Sequence, residues 1–173
     1  MPQTDPTPLW AYLREHWVLV LATRASDEPS DAPPYPTPLF YSVVPSCVST
    51  HSPWLVFASK PTTRHGVHLG AGPTLVAAGS YLETQQVECI RGVQLRGEVV
   101  LADRLVTSTV QACHDNYVER HPVARSLLGE HAAERLYVLA ITWAKLTDHR
   151  LGFGARREWS FPAPHWPWGE VCQ

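Results

Sequence analysis

The sequence predicts one mainly β domain of the α+β kind, antiparallel strands flanked by a few short helices. Three observations carry that prediction. Short runs of large and β-branched apolar residues recur at 17–23 (WVLVLAT), 54–59 (WLVFAS), 74–81 (TLVAAGSY), 90–101 (IRGVQLRGEVVL) and 136–146 (LYVLAITWAKL), with turn-forming residues between them. Helical periodicity is confined to short stretches. At 173 residues, with 45% hydrophobic and 17% charged residues, the chain is sized and composed for a single core.

Along the chain, residues 1–8 are polar and proline-bearing and read as a loosely attached end. Leu9, Trp10, Leu13 and Trp17 then recur at near-helical spacing, which predicts a helix ending near His16. Residues 17–23 form the first strand, followed by a turn over 25–31. In residues 32–44 (APPYPTPLFYSVV) the prolines cannot donate to a ladder, so the first half belongs at an edge or outside the sheet and only 39–44 reads as strand. Residues 54–59 make a buried third strand. A helix follows, capped by Thr62 or Thr63 and ended by Gly70, Gly72 and Pro73. Two more strands cover 74–81 and 90–101. In the latter, Val93, Leu95, Gly97 and Val99 share the core face, while Gln94, Arg96 and Glu98 share a polar one.

Val106, Val110, Cys113 and Tyr117 mark the longest helix, interrupted at His121-Pro122, with a further turn at 124–128. Residues 136–146 read as the last core strand. The rest, an Arg- and Trp-bearing tail, reads as loosely attached over 161–173.

Composition narrows the function. With Lys+Arg 14 against Asp+Glu 16, no broad basic field attracts nucleic acid or anionic lipid, so any anion site is local. No apolar run approaches the roughly 20 residues that span a bilayer, and the first eight residues lack the order of a signal peptide; the expectation is a cytoplasmic protein. Cys47, Cys89, Cys113 and Cys172 form no Cys-x-x-Cys pair and read as buried or idle thiols. The pair His65 and His68 has no accompanying carboxylate, and no metal site is expected. A Gly-x-Ser-x-Gly elbow, a Gly-x-Gly-x-x-Gly fingerprint and a phosphate-loop motif are all missing.

What remains is the segment Ser59-Lys60-Pro61-Thr62-Thr63-Arg64-His65. It joins a buried strand to a helix start and gathers two cations, three hydroxyls and free backbone N–H groups, the ingredients of a phosphate site. A capped helix with solvated basic residues fits the same segment. The polar face of Gln94 and Arg96 can hydrogen-bond a flat heterocycle, or can simply be an exposed strand face. Around Phe153-Gly154, a glycine permits close backbone approach and an aromatic can cover a ring, or the segment packs on its own core.

Three stretches together resemble a known family: Cys89-Ile90-Arg91-Gly92-Val93-Gln94-Leu95-Arg96-Gly97-Glu98-Val99; Tyr117 with His121-Pro122-Val123-Ala124-Arg125; and Thr147-Asp148-His149-Arg150-Leu151-Gly152-Phe153-Gly154 followed by Trp159. In order and spacing they are similar to the YhbP-type branch of the pyridoxamine 5′-phosphate oxidase-like family, over about residues 9–160. The resemblance implies a six-stranded antiparallel split β-barrel, a homodimer with two flavin sites at the interface, and FMN as cofactor. By position, Phe57, Ala58 and Ser59 would run beside the flavin, and Lys60, Thr63 and Arg64 would hold its phosphate, with His65 a further candidate. Gln94 would face the ring and Trp159 would approach from the tail.

The Arg-Leu-Pro ending of true pyridoxamine phosphate oxidases is replaced here by Phe161-Pro162-Ala163-Pro164-His165-Trp166-Pro167-Trp168, which argues against vitamin oxidation. The expected function is an FMN-dependent oxidoreductase acting on a small-molecule redox substrate, with no catalytic side chain identified. The alternatives are a non-catalytic flavin- or haem-binding protein on the same fold, with His65 or His68 as haem ligand, or a plain dimer with an empty cleft.

Overall fold

The computed structural model describes residues 5–29, 31–44, 53–70, 72–129 and 135–169; Cys47 and Cys172 lie outside them. Among the described residues, seven strands and four α-helices follow in the order α1 (Thr7–Glu15), β1 (Val18–Thr23), β2 (Tyr35–Val43), β3 (Trp54–Ala58), α2 (Arg64–Leu69), β4 (Thr74–Tyr81), β5 (Arg91–Leu101), α3 (Thr107–Arg120), α4 (Ala124–Leu128), β6 (Leu136–Asp148) and β7 (Arg156–Ser160). The strands run β3-β2-β1-β4-β5-β6-β7, every neighbouring pair antiparallel. Pairing of β3 with β6 closes the first six into a barrel, the split-barrel architecture, and leaves β7 outside as an extra strand on β6.

One irregularity makes both closure and the extra strand possible. Between Arg96↔Trp143 and Gly97↔Ile141 the register shifts, so Thr142 is the additional residue of a bulge. On one side of it, 136–140 pair with β3; on the other, 143–147 pair with β7. Gly97 is required there, since a Cβ would stand 2.1 Å from the Ala140 carbonyl oxygen.

The prolines of β2 obey the edge rule, but the strand is longer than expected. It begins at Tyr35, with Pro36 opposite Ala22 and Pro38 opposite Val20. Only residues 41–43 have a second partner in β3, so among the described residues the proline-bearing half is paired on one side alone.

The core has two parts. Inside the barrel, Leu19, Leu21, Phe57, Leu95 and Tyr137 pack with Leu9, Tyr12 and Leu13 of α1, which plugs one end. The Tyr12 hydroxyl donates to the Ser80 carbonyl at 3.1 Å, and the Tyr41 hydroxyl to that of Leu13 at 2.7 Å. Outside the barrel, α3 and α4 cover β3, β5 and β6 through Cys113, Tyr117, Leu128, Trp54 and Val138. Burial pushes the Cys113 thiol up to about 12.

Both ends expected to be loose are packed where described. Thr7 and Pro8 are the first residues of α1, and the Asp5 carbonyl accepts from the Trp159 indole at 2.9 Å. Beyond β7, Trp166 lies against Trp54, its indole nitrogen donates to Glu98 at 3.4 Å, and the Val106 N–H donates to the Pro167 carbonyl at 2.8 Å. These apolar and hydrogen-bonded contacts offset the entropy of ordering the tail. No helix among the described residues is long and apolar enough to cross a membrane.

Candidate functional site

The turn from β3 into α2 is organised by one threonine. Thr63 is the N-cap: its Oγ1 accepts from the Gly66 N–H at 3.2 Å and donates to the Lys60 carbonyl at 2.8 Å. Gly66 lets the helix press on the turn, because a Cβ would come within 2.5 Å of that same carbonyl oxygen. Ser59 Oγ stands 2.5 Å from His65 Nε2 and 3.1 Å from Thr63 Oγ1. Two hydroxyls and a buried imidazole thus form a closed knot beneath the turn. Burial, with a smaller contribution from His68, lowers the His65 pKa and favours its neutral form.

The two cations stand outside the knot. Lys60 is exposed and makes no ion pair with a described residue. Arg64 is 59% exposed, reaches Glu28 Oε1 at 3.4 Å, and lies over the Tyr35 ring at 4.6 Å. Glu28 is itself steadied by the Ala25 N–H at 3.2 Å, the first cause of its lowered pKa. Below it, His68 Nδ1 stands 3.1 Å from Thr23 Oγ1 and its Nε2 lies 4.0 Å from Glu28. Glu28 and Tyr35 are the positions sequence reasoning missed. They are 36 and 29 residues from Arg64, and only the barrel brings them together.

Gln94 projects from the exposed face of β5, opposite Gly79 on β4 and Lys145 on β6. It lines a cavity of about 620 Å³ with Val20, Tyr81, Ile90, Arg91 and Lys145. None of residues 57–65 reaches this cavity. Strand β1 links the two places: Val20 lines the cavity and Thr23, about 10 Å further along the strand, holds His68.

Two expected site residues are turned elsewhere. The Phe57 ring is fully buried and stacks on Tyr137 at 5.4 Å, so only its backbone can border a ligand; Ala58 beside it is half-buried. Trp159 sits opposite Ala144 on β7 and is 2% exposed. Alternation along that strand points it into the core, which no tail-borne aromatic covering a ring would do. Phe153, by contrast, is 85% exposed beside His149.

Around Gln94 runs the outer face of β2, β1 and β4, with His121 at the end of α3 lying 5.6 Å from the Phe40 ring at one side of it. Phe40, Val18, Leu75 and Tyr81 are exposed there, with half-buried Ala22 and Gly79 between them. Among the described residues, no group of three His, Cys, Asp or Glu is arranged to hold a metal ion.

Several solved structures share this fold. A haem-binding protein from Mycobacterium smegmatis superposes with a TM-score of 0.62 at 15% identity over 83% of this chain, which spans about half (52%) of that longer chain. A FAD-binding protein from Mesorhizobium loti gives a TM-score of 0.58 at 16% identity, covering 82% of this chain and 93% of its own. No protein-family model matches the sequence. A UPF0306 protein of Yersinia pestis bv. Antiqua (strain Angola) is 30% identical over 110 residues, 64% of this chain and 69% of the relative. With a strand order that closes the same barrel and a sequence match over two thirds of that relative, this chain belongs to the UPF0306 family.

Proposed function

We propose that the chain is a flavin-binding protein that holds FMN between two copies of itself. The observation that carries this reading is the β3–α2 corner. Its cations are exposed while its hydroxyls and imidazole bond one another, and strand β1 joins it to the sheet face that carries Gln94. In this reading Lys60 and Arg64 hold the phosphate, with Ser59 and Thr63 shaping the turn. Gln94 hydrogen-bonds the ring, and the backbone of 57–59 borders it.

The residues present fit that group. A dianion has an ammonium at Lys60 that pairs with no described residue, and a guanidinium at Arg64 that is 59% exposed and contacts Glu28 only at 3.4 Å. When bound, the flavin would supply electron-transfer chemistry, and the chain's part is to bind it, orient it and exclude water from one face. An oxidoreductase acting on a small-molecule redox substrate follows.

Haem is the less suited ligand. His65 and His68 each have one ring nitrogen engaged by a neighbouring side chain, at 2.5 Å and 3.1 Å, and both side chains are buried, at 7% and 5% exposure. The exposed Val18, Phe40, Leu75 and Tyr81 support the second copy, since an apolar face of this kind marks an interaction surface. Titrating FMN and, separately, haemin into the purified chain tests the reading. Saturable FMN binding with a shifted flavin spectrum supports it; binding of haemin alone, with a Soret band that moves, overturns it.

A further inference from the structure

A second cleft, of about 500 Å³, lies between α1 and the β6–β7 hairpin. Its walls carry four guanidiniums, Arg91, Arg150, Arg156 and Arg157, against two carboxylates, Glu15 and Asp148. The whole chain has a formal charge of −2, so this excess of positive charge is local.

The carboxylates are already engaged. Asp148 accepts from Arg150 Nε at 2.9 Å and Nη2 at 2.8 Å, and Glu15 accepts from Arg91 Nη1 at 2.7 Å. Arg91 is nonetheless short of an acceptor: its side chain is 12% exposed, and its Nε, 3.4 Å from Asp148, makes no hydrogen bond. Arg156 and Arg157 make no hydrogen bond or ion pair with a described residue, although the field of Arg157 reaches Asp5. On β7, Arg157 is half-buried on the same side as Trp159, while Arg156 is exposed at the mouth. A half-buried guanidinium with no acceptor among the described residues, as at Arg157, is costly to maintain, and a phosphate or carboxylate supplies the planar pair of acceptors that it matches. Between the arginines the floor is apolar, formed by Ala11, Leu146 and Ala155.

We propose that this cleft binds a small organic oxyanion, a phosphate or carboxylate joined to an apolar body. Arg157 and Arg91 hold the oxyanion, and the body lies on Ala11, Leu146 and Ala155. The site shares only Arg91 with the cavity around Gln94 and uses none of residues 57–65, so it stands independently of the flavin reading.

Isothermal titration of the full chain with phenyl phosphate, benzoate, inorganic phosphate and benzyl alcohol tests it. Phenyl phosphate or benzoate should bind saturably, the tighter of the two identifying the headgroup. Inorganic phosphate should bind more weakly than phenyl phosphate, and benzyl alcohol not at all. Arg157→Ala, with an unchanged circular dichroism spectrum, should weaken the preferred anion at least about tenfold; Arg157→Lys should restore part of the loss, and Arg64→Ala should leave it untouched. The proposal is overturned if neither organic anion binds at millimolar concentration, if inorganic phosphate binds as tightly as phenyl phosphate, if Arg157→Ala changes nothing, or if Arg64→Ala removes the binding.

Discussion

Replacing Arg64 by alanine is the sharpest perturbation of the proposed flavin site, because the structure sets what is gained and lost. In the free chain Arg64 contacts Glu28 at 3.4 Å and stacks on Tyr35, with 59% of its side chain exposed. An exposed pair of this geometry adds little to stability, so Arg64→Ala should leave the fold intact. With FMN bound, the same guanidinium would form charge-assisted hydrogen bonds to the phosphate, worth roughly 1.5–3 kcal/mol. At about 1.4 kcal/mol per decade, the expected loss of FMN affinity is about ten- to a hundredfold. Glu28→Gln gives the converse control: it releases Arg64 from its competing carboxylate and should tighten FMN modestly. Fluorescence titration of FMN into wild-type chain and both variants reads the three affinities at one salt concentration. Equal FMN affinity in wild type and Arg64→Ala would refute the placement of the phosphate at this corner.

Other consequences are structural and pH-dependent. Gly97→Ala forces a methyl group to within 2.1 Å of the Ala140 oxygen at the bulge, and should cost about 3 kcal/mol or more in urea denaturation. Trp159→Phe removes the hydrogen bond to the Asp5 carbonyl and should lower the denaturation midpoint while leaving FMN affinity unchanged, since the indole belongs to the core. His65 and His16 are both held below the ordinary imidazole range, first by burial, so below roughly pH 6.5 the unfolded chain binds more protons than the folded one. Stability should therefore be complete above that pH and fall on acidification toward the folded-state values; His65→Gln should flatten this step in urea midpoints measured across it. The Asp148 carboxyl is lowered mainly by its hydrogen bonds from Arg150, so its contribution is present above roughly pH 4 and lost below, a separate step that Asp148→Asn should remove.

Much of this barrel is legible in the sequence because each strand announces itself locally. Residues 74–81 coincide with β4, and the alternation of Val93, Leu95 and Val99 against Gln94 and Arg96 is the observed burial pattern of β5. The cap and the stop are local too: of Thr62 and Thr63 it is Thr63 that caps, and of Gly70, Gly72 and Pro73 it is Gly70 that ends the helix. What escapes is set by distant partners. β7 is a five-residue strand of mostly polar residues (RREWS), and its existence depends on the free edge that the bulge at Thr142 leaves on β6. Trp159 reads as an available aromatic until that pairing fixes which way it points. The prolines of β2 hide a strand whose first half needs only one neighbour. At the candidate site the cations and hydroxyls were visible as a run, whereas Glu28 and Tyr35 join Arg64 only through the closed barrel.

The central claim is that the corner after β3 and the exposed outer face of β2, β1 and β4 hold a flavin at each of two sites between two chains. Sedimentation velocity of the chain with FMN, recorded at the flavin's visible absorption band, addresses both halves at once. The account predicts that the visible boundary moves with a species of two chains. Visible absorbance that stays with the slowly sedimenting free flavin, above protein that sediments as a single chain, would contradict it.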